Sequence, residues 1–306
     1  MRMNAIDRAW LSLDGLSVGD AFGERFFGPS HEVLQSIARR DLPVAPWIYT
    51  DDTEMALSIV EILQEHGGID QDLLAQRFAR RMQFSRNYGK GAYTILCGIR
   101  EGLDWRTLTR IGFRGQGSFG NGAAMRVAPL GAFFADQPLG LVCEQARLSA
   151  EVTHAHAEGI AGAIAVAVAA ALAWQRRGSG ETLGRSWIAA IRDAIPKGCT
   201  RDAVAEALDV SPDATIVAAA KALGNGSGIT APDTVPLCLW VAAHASDGFE
   251  HALWRTVSAL GDRDTTCAIV GGILALTDHR EGIPPHWLQS REILPIGPGA
   301  PSLRSA

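Results

Sequence analysis

From Gly159 to Gln175 the chain runs for about 17 residues without a charge, mostly in Ala and Gly. A helix apolar on every face belongs either in a bilayer or at the centre of a large helical core. This stretch is at the lower limit for spanning, is rich in Ala and has no second span beside it, so a central core helix is expected. Such a helix needs others around it, and the rest of the sequence carries their signature. Residues 52–66 place Met55, Ile59 and Ile62/Leu63 at i, i+4 and i+7/i+8, behind a ready N-cap in Asp51 or Asp52. Similar patterns recur near 5–18, 71–84, 90–100, 122–134, 138–150, 182–194, 201–208, 212–223, 233–246, 248–260 and 264–278. Alternating β-branched runs bounded by turn residues are scarce, which leaves βαβ organisation without support. The expected fold class is all-α: one compact multi-helix domain over 1–290, with no repeat or long linker, and a Pro/Gly-rich surface tail over 291–306.

Composition narrows the partners. At 47% hydrophobic and 20% charged, the chain has material for a large core and is neither disordered nor collagen-like. Its 28 Lys+Arg against 33 Asp+Glu give a net charge of −5, so no overall basic field draws it to nucleic acid or anionic lipid. Five widely spaced cysteines, never in C-x-x-C, read as reduced thiols rather than a disulfide framework or zinc site. The N-terminus lacks the unbroken apolar run of a signal peptide. The expectation is a cytoplasmic protein, a monomer, with no stable nucleic-acid or membrane partner.

The segments between the helices are rich in Gly, Asp, Asn and Thr, the residues that cap, turn or coordinate. Thr50-Asp51-Asp52-Thr53 and Asp262-Arg263-Asp264-Thr265-Thr266 each put two carboxylates and two hydroxyls at a helix start. Capping needs only one such residue. Crowded carboxylates repel unless something positive lies between them, and a hard divalent cation with oxygen ligands resolves both clusters. A pair of Mg²⁺ ions sharing a bridging carboxylate, with Mn²⁺ as a substitute, accounts for them together. Arg263, inside the second cluster, can face a ligand, form a salt bridge or lower metal affinity.

Gly115-x-Gly117-x-x-Gly120 matches the dinucleotide fingerprint in letters, but no strand precedes it, so nicotinamide redox chemistry is rejected. The glycines before an expected helix at Gly122–Phe134 still suit a phosphate, through exposed amides and the helix dipole. Gly224-Asn225-Gly226-Ser227-Gly228 offers a second loop, suited to a ribose or base. His154 and His156 open the apolar helix at i and i+2, off one another's face, which excludes a helical metal pair. They read as structural hydrogen-bonding residues or as polar contacts to substrate. No G-x-S-x-G elbow is present: Ser118 has Gln116 two residues before it.

Taken together, Gly19-Asp20-Ala21-x-Gly23, Thr50-Asp51-Asp52-Thr53-x-Met55, Gly120-Asn121-Gly122-Ala123-Ala124-Met125-Arg126, Thr153-His154-x-His156, Gly224-Asn225-Gly226, Asp233-Thr234-Val235-Pro236, Gly261-Asp262-x-Asp264-Thr265 and Ile283-Pro284-x-x-Trp287 resemble the ADP-ribosylglycohydrolase family. The motifs stand in family order over nearly the whole chain. The resemblance implies an all-α fold with two Mg²⁺ ions, one held by Thr50, Asp51 and Asp52, the other by Asp262 and Thr265, with Asp264 bridging. It implies that Ser118, Phe119, Gly120, Asn121, Gly122 and Met125 line the phosphates and distal ribose of ADP-ribose, and that His154, Gly226 and Ser227 contact other parts of it. Some members use a glutamate after the first motif, for which Glu24 is the nearest candidate. This chain departs from the family at Arg263, where a small residue is usual, and at Ala157, where proline is frequent.

The implied activity is hydrolysis of the C1″ N- or O-glycosidic bond of an ADP-ribosylated protein, nucleic acid or small molecule, with Asp51, Asp52 or Glu24 aiding the attacking water. The rivals are a Mg²⁺-dependent phosphohydrolase, which releases phosphate or AMP, and a non-catalytic ADP-ribose-binding or immunity module.

Overall fold

A computed structural model describes residues 3–179, 182–277 and 282–297. In it sixteen α-helices follow one another: α1 (Ala5–Glu24), α2 (Ser30–Arg39), α3 (Asp51–His66), α4 (Gln71–Arg81), α5 (Lys90–Arg100), α6 (Trp105–Ile111), α7 (Ala128–Phe133), α8 (Leu139–Glu151), α9 (Ala157–Gln175), α10 (Gly184–Ala194), α11 (Cys199–Glu206), α12 (Ile216–Leu223), α13 (Ala231–Ala243), α14 (Phe249–Val257), α15 (Arg263–Leu274) and α16 (Pro285–Ser290). Among the described residues β pairing is limited to two isolated bridges, Trp47 with Arg291 and Gly120 with Thr230. The all-α single-domain fold expected from periodicity is the fold observed.

The charge-free stretch forms α9, capped by His156, whose Nδ1 accepts from the amide of Glu158. The helix is long and apolar enough to cross a membrane by composition, yet it is buried inside the fold, packed by α7, α8, α10 and α13. Its alanines let neighbours approach closely: a Cβ at Gly131 of α7 would sit 2.0 Å from the carbonyl oxygen of Ala167.

The seam that matters most for the site joins α1 to α15. Gly15, Gly19 and Gly23 fall on one face of α1 at a spacing of four. A Cβ on them would come within 2.3 Å of the Gly271 oxygen, 2.1 Å of the Cys267 oxygen and 2.2 Å of the Arg263 oxygen. The two backbones therefore touch without side chains between them. This contact carries Asp20 of α1 up against the N-terminus of α15.

Three short helices, α2, α6 and α16, have no counterpart in the hydrophobic pattern. At 10, 7 and 6 residues they are held by their surroundings more than by their own periodicity. The helix expected over 122–134 is instead a 3₁₀ turn, Asn121–Ala123, followed by α7, which starts at Ala128 with Pro129 in its first turn. Proline is favoured there and disfavoured further in, so it marks a start the hydrophobic pattern overran. His154 lies in the turn before α9 and His156 at its cap, so neither is inside the helix.

Of the five thiols, Cys238 and Cys267 are buried, Cys97 and Cys143 half-buried and Cys199 exposed, none in a disulfide. Beyond residue 290 the chain still contacts the body. Glu292 forms a two-pronged pair with Arg86 at 2.7 and 2.9 Å, and its amide donates to the Trp47 carbonyl. The part of the expected tail over 298–306 lies outside the described residues.

Candidate active site

Three carboxylates from three elements converge: Asp20 of α1, Asp52 of α3 and Asp264 of α15 each offer an oxygen within 4.8 Å of the others. Asp20 and Asp52 are buried and Asp264 is half-buried. Thr50 caps α3 and ties it to α1. Its amide donates to both Asp20 oxygens, at 3.1 and 3.0 Å, and Thr53 donates to Asp20 through its amide at 3.1 Å and hydroxyl at 2.5 Å. The Thr50 hydroxyl has Asp20 Oδ1 at 2.8 Å and Asp52 Oδ2 at 3.1 Å. One hydrogen serves only one of these, so the second approach needs a shared proton or a cation.

The electrostatics agree with the geometry. Burial pushes Asp20 up to about 6, against its hydrogen bonds from Thr50 and Thr53. Burial, then repulsion from Asp20, raises Asp51 to about 8, and the same causes hold Asp52 well above the usual carboxylate range. Asp264 is likewise raised by burial and by its neighbours Asp262 and Asp20. Asp52 Oδ1 and Asp264 Oδ1 are buried without a hydrogen-bond partner. Unpartnered oxygens among mutually repelling carboxylates are the donor set of a hard cation, so the residues fit the group the family resemblance implies.

The cluster closes one end of a cleft of about 440 Å³, in the range of small-ligand sites. Asp51, Asp52, Asp262, Asp264 and Thr265 line it, as do Ser118, Phe119, Gly120, Asn121, Gly122, Met125 and His154. Asn121 links the two walls, its Nδ2 donating to Asp262 Oδ2 at 2.7 Å and to the Thr234 hydroxyl at 3.0 Å. A 3₁₀ turn rather than a helix follows the loop, so no helix N-terminus stands there, and the amides of Gly120 and Asn121 donate to the Ser118 hydroxyl and the Ile229 carbonyl.

Other expected residues fall elsewhere. Glu24 lines a neighbouring pocket of about 350 Å³, which shares Asn87 with the cleft; Thr50 also lines that pocket, with its hydroxyl still between Asp20 and Asp52. Glu24 accepts from Asn87 Nδ2 at 2.8 Å, and burial with repulsion from Asp20 raises its pKa. Gly226 and Ser227 do not line the cleft; Gly228, Ile229 and Thr230 do. The second Gly-Asn-Gly loop instead buttresses the acidic turn: the Asn225 carbonyl accepts from the Asp262 amide, and its side chain holds Ala259 and Ser227. Arg263 packs over the Phe27 ring at 5.0 Å and does not line the cleft.

The residues that spacing did not single out are Asp20, Asn87, Arg126 and Thr153. Asp20 stood in view inside Gly-Asp-Ala-x-Gly, but its partners are 30 and 33 residues away. Arg126 is fully buried, over the Phe78 ring at 4.6 Å, and burial draws its pKa down to about 9, which leaves it charged at neutral pH.

Residues 1–296 match a family model described as ADP-ribosylglycohydrolase. The chain is 30% identical to human ADP-ribosylhydrolase ARH3 over an alignment of 323 residues, covering 92% of this chain and 88% of that protein. It is 27% identical over 292 residues to ADP-ribosylarginine hydrolase Tri1 from Pseudomonas putida (strain GB-1), covering 93% of this chain and 74% of that one. A solved structure titled ADP-ribosylglycohydrolase-related protein complex superposes with a TM-score of 0.65 at 25% identity, over 94% of this chain and 93% of that chain.

Proposed function

This chain belongs to the ADP-ribosylglycohydrolase family, and on that premise we propose that it is a Mg²⁺-dependent hydrolase. It cleaves the C1″ N- or O-glycosidic bond of an ADP-ribosylated protein side chain, nucleic acid or small molecule and releases ADP-ribose. The observation that carries this reading is the pair of unpartnered oxygens, Asp52 Oδ1 and Asp264 Oδ1, at the end of a cleft walled by the Gly120–Gly122 loop. Thr50, Asp51, Asp52, Asp262, Asp264 and Thr265 would hold two ions, with Asp20 fixing the Thr50 and Thr53 backbone behind them.

When bound, the ions supply Lewis acidity toward sugar hydroxyls and neutralise the crowded carboxylates. The chain's own residues do the rest. Amides of the 118–122 loop other than those of Gly120 and Asn121, which bond the Ser118 hydroxyl and the Ile229 carbonyl, would bind phosphate oxygens, and Met125 would pack against the ligand. Asn121, anchored on Asp262, keeps that loop in register with the acidic end. Asp51 and Asp52 face the cleft at the first turn of α3, where a carboxylate accepts the proton of a water attacking C1″. The five unpaired thiols favour the cytoplasm as its compartment.

The test offers the protein ADP-ribosylated arginine, serine and DNA, with Mg²⁺ or with EDTA, and measures free ADP-ribose. Metal-dependent release from at least one substrate is expected. AMP or inorganic phosphate as product, or tight ADP-ribose binding without turnover on any substrate, overturns the glycosidase reading.

A further inference from the structure

Beside the glycine loop the cleft wall carries a buried hydrogen-bond chain whose polarity follows from its chemistry. Arg126 is fully buried, and a guanidinium only donates. Its Nη2 donates to the Ser149 carbonyl at 3.0 Å and to the Thr153 hydroxyl at 2.9 Å, while Nη1 rests 3.4 Å from the Met55 sulfur. Thr153 Oγ1 lies 2.7 Å from Nδ1 of His154. Thr153 accepts from Arg126 on one lone pair, and donating to Nδ1 is the arrangement that leaves its buried hydroxyl hydrogen paired, Nδ1 being the acceptor at hand among the described residues. Nδ1 is then unprotonated, and a neutral imidazole in that state carries its hydrogen on Nε2.

Nε2 lies against the glycine loop. A Cβ on Gly122 would stand 3.1 Å from it and one on Gly120 3.4 Å. The absence of side chains at these two positions makes room for the ring edge, and both glycines and His154 line the cleft. His154 itself is 6% exposed, so its orientation is set by packing.

We infer that Arg126 and Thr153 are positioning residues that lock His154 as the Nε2–H tautomer, a fixed hydrogen-bond donor aimed at an oxygen of the ligand held on the Gly120–Gly122 loop. The identity of that ligand rests on the ADP-ribose reading above; the tautomer does not. Burial, aided by the Arg126 charge, holds His154 down to about 3, so the ring stays a neutral donor through the physiological range.

The test has a spectroscopic arm and a binding arm. Long-range ¹H–¹⁵N spectra of histidine-labelled protein, with the His154 signals assigned by their loss in His154→Gln, report which ring nitrogen carries the hydrogen. Wild type and Thr153→Ser are expected to show Nε2–H, whereas Thr153→Val gives a mixed or Nδ1–H ring. In the same variants, ADP-ribose affinity measured by calorimetry with Mg²⁺ is expected to fall about tenfold in Thr153→Val and to recover in Thr153→Ser, as for one misdirected hydrogen bond. Nδ1–H in the wild type, or an unchanged Nε2–H ring in Thr153→Val, overturns the relay. A flipped tautomer with unchanged ADP-ribose affinity overturns its role toward the ligand. If wild type does not bind ADP-ribose at all, the functional reading fails while the spectra still judge the tautomer.

Discussion

The two ends of the cleft are built on opposite principles. At the acidic end, carboxylates from α1, α3 and α15 crowd together, their pKa values forced up by burial and mutual repulsion, with two buried oxygens unpartnered. At the histidine end the buried charge is a single guanidinium. It is dispersed over a carbonyl, a hydroxyl, a thioether and a ring face with no carboxylate among its hydrogen-bond partners. The first end is frustrated in the chain alone, and a bound cation would relieve it. The second is organised in advance, by a guanidinium and its neutral acceptors, none of them a proposed metal ligand. On the function proposed above, such a cleft would keep its ligand-orienting wall preorganised while its chemistry waits on a cation.

The largest expected effect breaks that contrast at its acidic end. Asp52→Asn should lower ADP-ribose release about a thousandfold, since it removes a ligand and a proton acceptor together. In EDTA the same variant should be more stable than wild type by roughly 2 kcal/mol in chemical denaturation, because a buried carboxyl that must either repel its neighbours or take up a proton on folding is gone. Loss of stability in EDTA along with activity would mean that the cluster is a structural network and not a cation site.

Next in size is the seam. Gly19→Ala would place a methyl 2.1 Å from the Cys267 carbonyl oxygen, backbone against backbone, with no flexible side chain to yield. About 3 kcal/mol of stability should be lost. The displacement falls between Asp20 and Asp264, so the thermal shift given by Mg²⁺ should shrink while the His154 ring signals stay in place. Equal disturbance at both ends would show that they are one unit.

The pH dependence of stability separates the ends by sign. In EDTA, Asp20 at about 6 and Asp51 at about 8 keep protons in the folded state that the unfolded chain, near 3.8, has released. The folded state binds more protons over that window, so stability falls as pH rises from about 4 to about 8. His154 does the reverse: held to about 3 from 6.5, it leaves the unfolded state with the extra proton, and stability rises with pH across that interval. Each group contributes at most about 1.4 kcal/mol per pH unit inside its window. Urea titrations should show the falling limb alone above pH 6.5, abolished by Mg²⁺, and a rising limb below pH 4 that His154→Gln removes. A falling limb that survives saturating Mg²⁺ would contradict the assignment of the carboxylates.

What the sequence disclosed follows the same divide. The acidic end was legible because Asp51–Asp52 and Asp262–Asp264 are local motifs at helix starts, where cap chemistry and metal chemistry share letters. Asp20 was not, because its importance lies in hydrogen bonds to residues some thirty positions on. The hydrophobic pattern runs through Pro129 and so predicts a longer helix after the glycine loop, where the backbone breaks into a 3₁₀ turn and α7. The second Gly-Asn-Gly loop shares composition with the first, yet one lines the cleft and the other props up Asp262. Composition identifies a loop, and only tertiary contact assigns its job.

Glu24 tests where the acidic end stops. A carboxylate that protonates the leaving group or deprotonates water costs about a hundredfold or more when made neutral. Glu24 instead faces Asn87 in the adjoining pocket, which shares that residue with the cleft. Its raised pKa owes more to burial than to Asp20, so it feels the cluster without belonging to it. Glu24→Gln keeps the shape and the contact with Asn87, and should lower kcat only about fivefold, roughly 1 kcal/mol of barrier. The loss should be matched by Asn87→Ala and not compounded in the double variant, because the two act as one contact. A loss on the scale of Asp52→Asn would move Glu24 into the chemistry and extend the frustrated end through the Asn87 gap into the second pocket.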